Sequence, residues 1–290
     1  MTIAHEPWPS PDDLDLHLGP ASSRFFGTGY RRVTYEVGEL SSAAASPDLA
    51  TGWARVTYPR DWSAKNGVPR TAHLGTGDAL VLTHAVAEAY LRTLGLDEGQ
   101  VARAWFERLA VRAGTRPVTD LGRVRLVVSP SAAGVGLPSV EGVRTGIECR
   151  VGSLVVVATL RHEVPSGGPR TWEDANLLLA RGSVGGELFS RTGHRTRIVE
   201  LDVAGGRVRS EHLIDPVPDR PGGGIEAAYW PSVTLMDALV LTGQLGQVLL
   251  YASAGIDRDS ADTLWMRRMT FDVDSPWRPT AGPHETQVRI

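Results

Sequence analysis

The chain carries one apolar segment twice. Residues 77–90 read GDALVLTHAVAEAY and residues 236–251 read MDALVLTGQLGQVLLY, with the hexamer DALVLT identical at an offset of 159 residues. Both runs are too densely apolar for a surface helix and too long for a strand, so each predicts a helix buried on most sides. Thr76 or Asp78 can cap the first helix, and Gly95 can end it. Two other segments recur in the same order. SRFFGTGYRRVTYEV is paralleled by ELFSRTGHRTRIVELDV, which aligns Gly29-Tyr30 with Gly193-His194. AWFERLAVRAG is paralleled by LWMRRMTFDVD, which aligns Trp105 with Trp265. Three segments repeating in order predict an internal duplication.

The flanking segments read as strands. YRRVTYEVGEL and GWARVTYP alternate as a half-buried antiparallel pair, followed after the helix by AWFERLAVRAG, RVRLVVSP, RTGIECRV and SLVVVATLRHEV. Gly152-Ser153 joins the last two in a tight turn. A long apolar helix needs cover, and a curved antiparallel sheet wrapped around it supplies that cover. The expected fold is α+β: a double hotdog, with two antiparallel sheets each wrapped around a long buried helix. The expected boundaries are an extended N-terminal lead-in over 1–23, a first repeat over 24–164, a connector over 165–186 and a shorter second repeat over 187–290. Within the connector, TWEDANLLLARG predicts a short helix.

Composition excludes several classes. A net charge of -3 argues against a nucleic-acid binder, and nearly all the basic charge is arginine, Lys65 being the only lysine. Cys149 is the only cysteine, so no internal disulfide forms; its strand setting reads as a buried thiol and fits a cytoplasmic protein. The first twenty residues are acidic and proline-rich, unlike a signal peptide, and no run of 18 apolar residues predicts a membrane span. HExxH, CxxC and His-rich motifs are missing, and RPGGGIEAAY lacks the lysine and setting of a phosphate loop. Neither a metal nor an organic cofactor is expected.

The candidate site residues cluster on and before the two helices. Asp78 and Asp237 open them, as caps, as site groups, or as both. His84 and Glu88 are four apart on one face of an apolar helix, where a Glu beside a His can serve as general base. Gln244 and Gln247 face one way on the second helix and cannot titrate, so they would orient substrate or satisfy backbone groups. His73 precedes the first helix, and Arg60 leaves a strand where it can hold a phosphate or carboxylate. His162, His194 and His212 fall on predicted strands without metal-ligand spacing.

LGPASSRFFGTGYRRV together with HLGTGDALVLTHAVAEAYL resembles the AvrD family over most of the chain. The resemblance implies synthesis of syringolide-type elicitors, in which a β-ketoacyl chain joins a pentulose such as xylulose and the product closes to a lactone. DALVLTHAVAE and DALVLTGQLGQ are also similar to the D-P-L-L-L-x-E-x-x-R-Q segments of A-factor (γ-butyrolactone) synthases. Asp78, Asp237 and Gln247 match that pattern, Glu88 stands in for the final Gln, and His84 and Gly243 replace the Glu. HLGTG and PSVTLMDALVL resemble polyketide dehydratase motifs that would pair His73 with Asp237. The implied function is a condensing acyltransferase of hotdog type. Its partners would be a β-ketoacyl thioester on acyl carrier protein or coenzyme A, and a small sugar or triose; a homodimer is allowed. The alternatives are a dehydratase or thioesterase, or a non-catalytic lactone- or acyl-binding module.

Overall fold

A computed structural model describes residues 12–43, 46–132, 136–139, 142–175, 182–216, 219–261 and 264–290. The chain enters through helix α1 (Asp13–Leu18) and a 3-10 turn at Ala21–Ser23, so the lead-in expected to be extended is partly helical. The physical reason is local: Asp12 caps the helix by accepting from the Leu14 amide, and Leu14 and Leu18, one turn apart, are both buried. Of the three leucines in this acidic stretch, Leu16 points to solvent and only Leu14 and Leu18 pack.

Strands β1 (Thr34–Val37), β2 (Ser41–Ala43) and β3 (Ser46–Thr57) follow, then a short pair, β4 (Ala64–Lys65) and β5 (Val68–Pro69). Helix α2 (Thr76–Thr93) is the first DALVLT helix and is buried nearly throughout. Its N-cap is Gly75, one residue earlier than expected; Asp78 sits at the third position and accepts from the Gly75 amide at 2.6 Å. Gly95, at a φ of +93°, turns the chain away after the last turn. Helix α3 (Glu98–Arg103) leads into β6 (Trp105–Arg112), β7 (Val124–Pro130), β8 (Gly136–Ser139), β9 (Gly142–Val151) and β10 (Leu154–His162). Of the expected connector helix, residues 172–175 are turns, and residues 176–181 lie outside the described residues. Then come β11 (Gly193–Asp202), β12 (Arg207–Asp215), helix α4 (Leu235–Ala254), β13 (Arg268–Asp272) and β14 (His284–Arg289).

The main sheet is antiparallel and runs β1-β3-β7-β9-β10-β6-β13, with β2 beside β3 and β8 beside β9. It curls over α2, which packs on β1, β9 and β10. Leu80, Leu82 and Leu91 of α2 meet Leu126, Ile147 and Leu160 of the sheet in one core, and each is at most 1% exposed. Burial of such a side chain contributes about 1.5–3 kcal/mol, so this core dominates the stability of the first half.

The second sheet has three strands, β11-β12-β14. Helix α4 packs on β12 and β14, and α1 lies across it, so Leu14 and Leu18 join Val208, Leu245, Val248 and Leu249. By length and composition α4 could cross a membrane, but 61% of it is buried inside the protein. β13 does not return to the second sheet. It pairs with β6 of the main sheet, with Thr270 opposite Ala110. Among the described residues, the outer edges of β13 and β14 carry no further strand. In the main sheet β9 and β10 lie between β6 and β7, whereas among the described residues no strand lies between β13 and β14.

Candidate functional site

A cavity of about 1080 Å³ opens along the side of α4 that no strand covers. That volume accommodates a ligand larger than a simple metabolite. Met269 of β13 and Val288 of β14 line it from two edge strands, and Thr242, Gly243, Gly246, Gln247 and Leu250 line it from α4. The glycines make the room. A Cβ at Gly246 would meet nothing within 4 Å, while one at Gly243 would stand 3.1 Å from the Phe26 ring. Glycine inside a helix costs roughly 1 kcal/mol relative to alanine; here Gly246 leaves open volume and Gly243 admits the Phe26 ring.

The opposite wall is the start of α2, where His73, Leu74 and Thr76 face the cavity. His73 sits in an aromatic frame, its ring 4.6 Å from that of Trp265 and edge-on to Trp62 at 6.1 Å. Its Nδ1 lies 3.3 Å from the Thr71 carbonyl. With Nδ1–H donating there, Nε2 carries the lone pair. Behind His73, buried Asp78 accepts from Tyr58 Oη at 2.6 Å and Tyr35 Oη at 2.8 Å, besides the Gly75 amide. Burial pushes the Asp78 carboxyl above its ordinary range, and these three donors and the nearby His73 pull it back. Burial, reinforced by the Asp78 charge, holds both tyrosine hydroxyls well above their usual pKa.

Asp237 makes the corresponding node at the start of α4. It accepts from the Thr234 amide at 2.8 Å, from Thr234 Oγ1 at 2.7 Å, and from His194 Nε2 at 2.8 Å. The His194 and Asp237 side chains are 7% and 1% exposed. Sequence reasoning passed over His194 because it looked for metal-ligand spacing. The usable signal was the alignment of Gly193-His194 with Gly29-Tyr30, since Tyr30 also packs near Asp237. Burial pushes the Tyr30 hydroxyl up to about 12 against the opposing pull of Arg31, and the Asp237 charge adds to the rise.

The structure brings His73 and Gln247 together in the cavity. Gln244 lies behind the wall, where its Oε1 accepts from Arg24 Nη1 at 2.6 Å. Asp78 backs His73, and Asp237 is held by His194. His84 and Glu88 point elsewhere. The His84 ring is edge-on to Phe106 at 4.6 Å, with Nδ1–H donating to the Leu80 carbonyl at 2.9 Å and the Gly185 backbone pressed against it. Burial lowers its pKa. Glu88 accepts from Arg92 Nη2 at 2.6 Å and lies against Gly224; burial raises its pKa. This pair ties α2 to the segments around residues 185 and 224 and does not line the cavity. Arg60 is exposed and also outside the lining. Cys149 is fully buried, and its thiol is pushed up to about 12 by burial, which leaves no thiolate. Among the described residues no group of three or more His, Cys, Asp or Glu side chains could hold a metal ion.

These features define an α+β protein in which a curled antiparallel sheet encloses one helix and a second helix borders a large cavity with a histidine on its wall. The chain belongs to the AvrD family: the family described as Pseudomonas avirulence D protein (AvrD) matches residues 10–289. Among solved structures, HtdX of Mycobacterium tuberculosis is similar at 13% identity over 45% of this chain and 52% of its own, with a TM-score of 0.26. The chain thus spans about half the length of that protein. A putative oleoyl thioesterase from Lactobacillus plantarum is similar at 9% identity over 66% of this chain and 93% of its own, with a TM-score of 0.21. A search of curated proteins finds no match.

Proposed function

We propose that the protein is a double-hotdog enzyme that joins a β-ketoacyl thioester to a small ketose or triose and yields a syringolide- or butenolide-type lactone. Membership of the AvrD family supports the reaction class. The observation that carries the site is the cavity between His73, at the start of α2, and the uncovered side of α4. The duplication is supported by the β6–β13 seam. Aligning Trp105 with Trp265 makes Ala110 and Thr270 equivalent, and these two residues stand opposite each other. A strand pair centred on equivalent positions is what a pseudo-two-fold axis requires.

In this reading the acyl chain lies along Phe25, Phe26, Leu250 and Met269, and the thioester carbonyl faces the first-turn amides of α2 near Thr76. His73 Nε2 takes the proton from a sugar hydroxyl as its oxygen attacks the thioester carbon. The tetrahedral intermediate expels the thiolate, which takes that proton and leaves as thiol, so an ester replaces the thioester. The acidic carbon between the two acyl carbonyls then attacks the ketose carbonyl, which closes the lactone ring, and loss of water sets its double bond. Gln247 and Thr242 offer hydrogen bonds to the sugar. Carrier protein and coenzyme A thioesters both fit this scheme.

A dehydratase or thioesterase pairing His73 with Asp237 is the competing scheme. It is disfavoured because Asp237 is bonded by His194, and the carboxylate beside His73 is Asp78. The test mixes purified protein with a β-ketoacyl thioester and a panel of ketoses. The expected result is free thiol together with an acylated sugar or its lactone by mass spectrometry. Thiol release no faster than buffer hydrolysis across the panel would sink the proposal, and a product containing only water as second partner would favour the competing scheme.

A further inference from the structure

The charge lining the cavity has one sign. Arg24, Lys65, Arg70, Arg116, Arg258 and Arg267 contribute to its wall, and among the described residues no Asp or Glu does. The chain as a whole carries a net charge of -3, so this concentration is local.

Two of the arginines are buried. The Arg258 side chain is 10% exposed. Its Nη1 donates to the Ala64 carbonyl at 3.0 Å, and its Nη2 to the Ser23 carbonyl at 3.0 Å and Ser63 Oγ at 3.4 Å, all neutral acceptors. The neighbouring carboxylate, Asp259, is 3.7 Å away and half exposed to solvent. Arg24 is 5% exposed and is bonded to Asp15, with Asp12 also near, yet its Nη1 is spent on neutral Gln244 and its Nε has no partner. The two guanidinium groups are close enough to repel each other. A buried cation is costly unless an anion compensates it, and neutral carbonyls supply hydrogen bonds but no countercharge. Arg116 and Arg267, both exposed, add to the positive field of the lining.

We propose that the cavity takes a phosphate ester, with the phosphate drawn to the arginines that line it, Arg258 among them. The inference rests on the proposed function in naming the substrates, but not in requiring an anion. Two sources share this chemistry: a ketose or triose phosphate, and the phosphopantetheine arm that carries the acyl thioester. Guanidinium groups suit either, because their planar fork matches phosphate oxygens two at a time.

The experiment is equilibrium binding to the intact protein, read by tryptophan fluorescence, since Trp62 and Trp265 line the cavity. Two matched pairs are titrated at low salt: xylulose 5-phosphate against xylulose, and phosphopantetheine against pantetheine. The expected result is a preference of about tenfold or more for the phosphorylated member of one pair, shrinking as salt is added. Preference in the first pair assigns the phosphate to the sugar, and in the second to the carrier. Arg258→Gln should abolish it. Because that side chain is buried, the exposed double variant Arg116→Gln with Arg267→Gln is run beside it and should weaken the preference while the melting temperature holds. Equal affinity within both pairs would overturn the proposal. Binding is measured without turnover, so the two readings fail separately. A phosphate preference without thiol release would sink only the proposed reaction, and thiol release without a preference would sink only this inference.

Discussion

The helices α2 and α4 share the same six residues from their third position and end in different surroundings. Aligned through DALVLT, Leu91 stands where Leu250 does; the first is fully buried and the second is 40% exposed. Ala87 is fully buried, whereas a side chain at the equivalent Gly246 would project into open space. Glu88 is tucked against Gly224 beside Arg92, whereas the equivalent Gln247 faces the cavity. The shared segment sets a long apolar helix in both places, and the strands around it decide what that helix is for. With β9 and β10 alongside, α2 is a core element. Beside the unpaired edges of β13 and β14, α4 becomes a wall. The two capping carboxylates differ in the same spirit: tyrosines hold Asp78, and a histidine and a threonine hold Asp237.

The sharpest consequence concerns the wall that α2 contributes. His73→Ala should lower thiol release about 10²–10⁴-fold, the usual loss of a general base. Circular dichroism should show an unchanged fold, and a loss below tenfold would remove His73 from the chemistry. Next comes the leucine pair. Leu91→Ala should cost about 2–5 kcal/mol in denaturant unfolding. Leu250→Ala should cost under roughly 0.5 kcal/mol, as exposed positions do, while weakening the acyl substrate. Equal losses at the two sites would break the contrast between the helices.

A third prediction uses a group on the second sheet. His212 is buried between Thr196 Oγ1 at 3.0 Å and Ser210 Oγ at 2.9 Å, and burial, aided by His194 and His284, lowers its pKa to about 4. The unfolded chain, near 6.5, therefore takes up more protons between those two values. Stability is complete above about pH 6.5 and declines as pH falls towards 4, by roughly 3 kcal/mol over the span. Melting curves from pH 7 to 4 should show this slope, and His212→Gln should flatten it; a variant with the parent's slope would refute the assignment. The smallest effect is expected at Glu88. Glu88→Gln should leave thiol release unchanged, because the carboxylate faces Arg92 and Gly224 and not the cavity. A large loss would restore it as the base.

Much of this was legible in the chain. The alternation of β6, β7, β9 and β10, the glycine that ends α2 and the recurrence of the DALVLT helix all express local periodicity and turn chemistry. The unreadable parts depend on non-local pairing. Nothing local to residues 243–247 says that α4 lacks strands on one side, so the sequence points to the titratable pair His84 and Glu88, while the space lies at Gly246. Helix α1 was missed because Leu14 and Leu18 become a signal only once α4 offers them a surface. The His194–Asp237 bond spans 43 residues and carries no spacing rule.

Gly246→Phe tests the central claim, that the uncovered side of α4 is the reaction chamber. Replacing a mid-helix glycine whose Cβ meets nothing should leave the melting temperature equal or raised. The account predicts a fully folded protein whose thiol release from a β-ketoacyl thioester drops to the buffer rate. The same variant turning over at the parent's rate would contradict it.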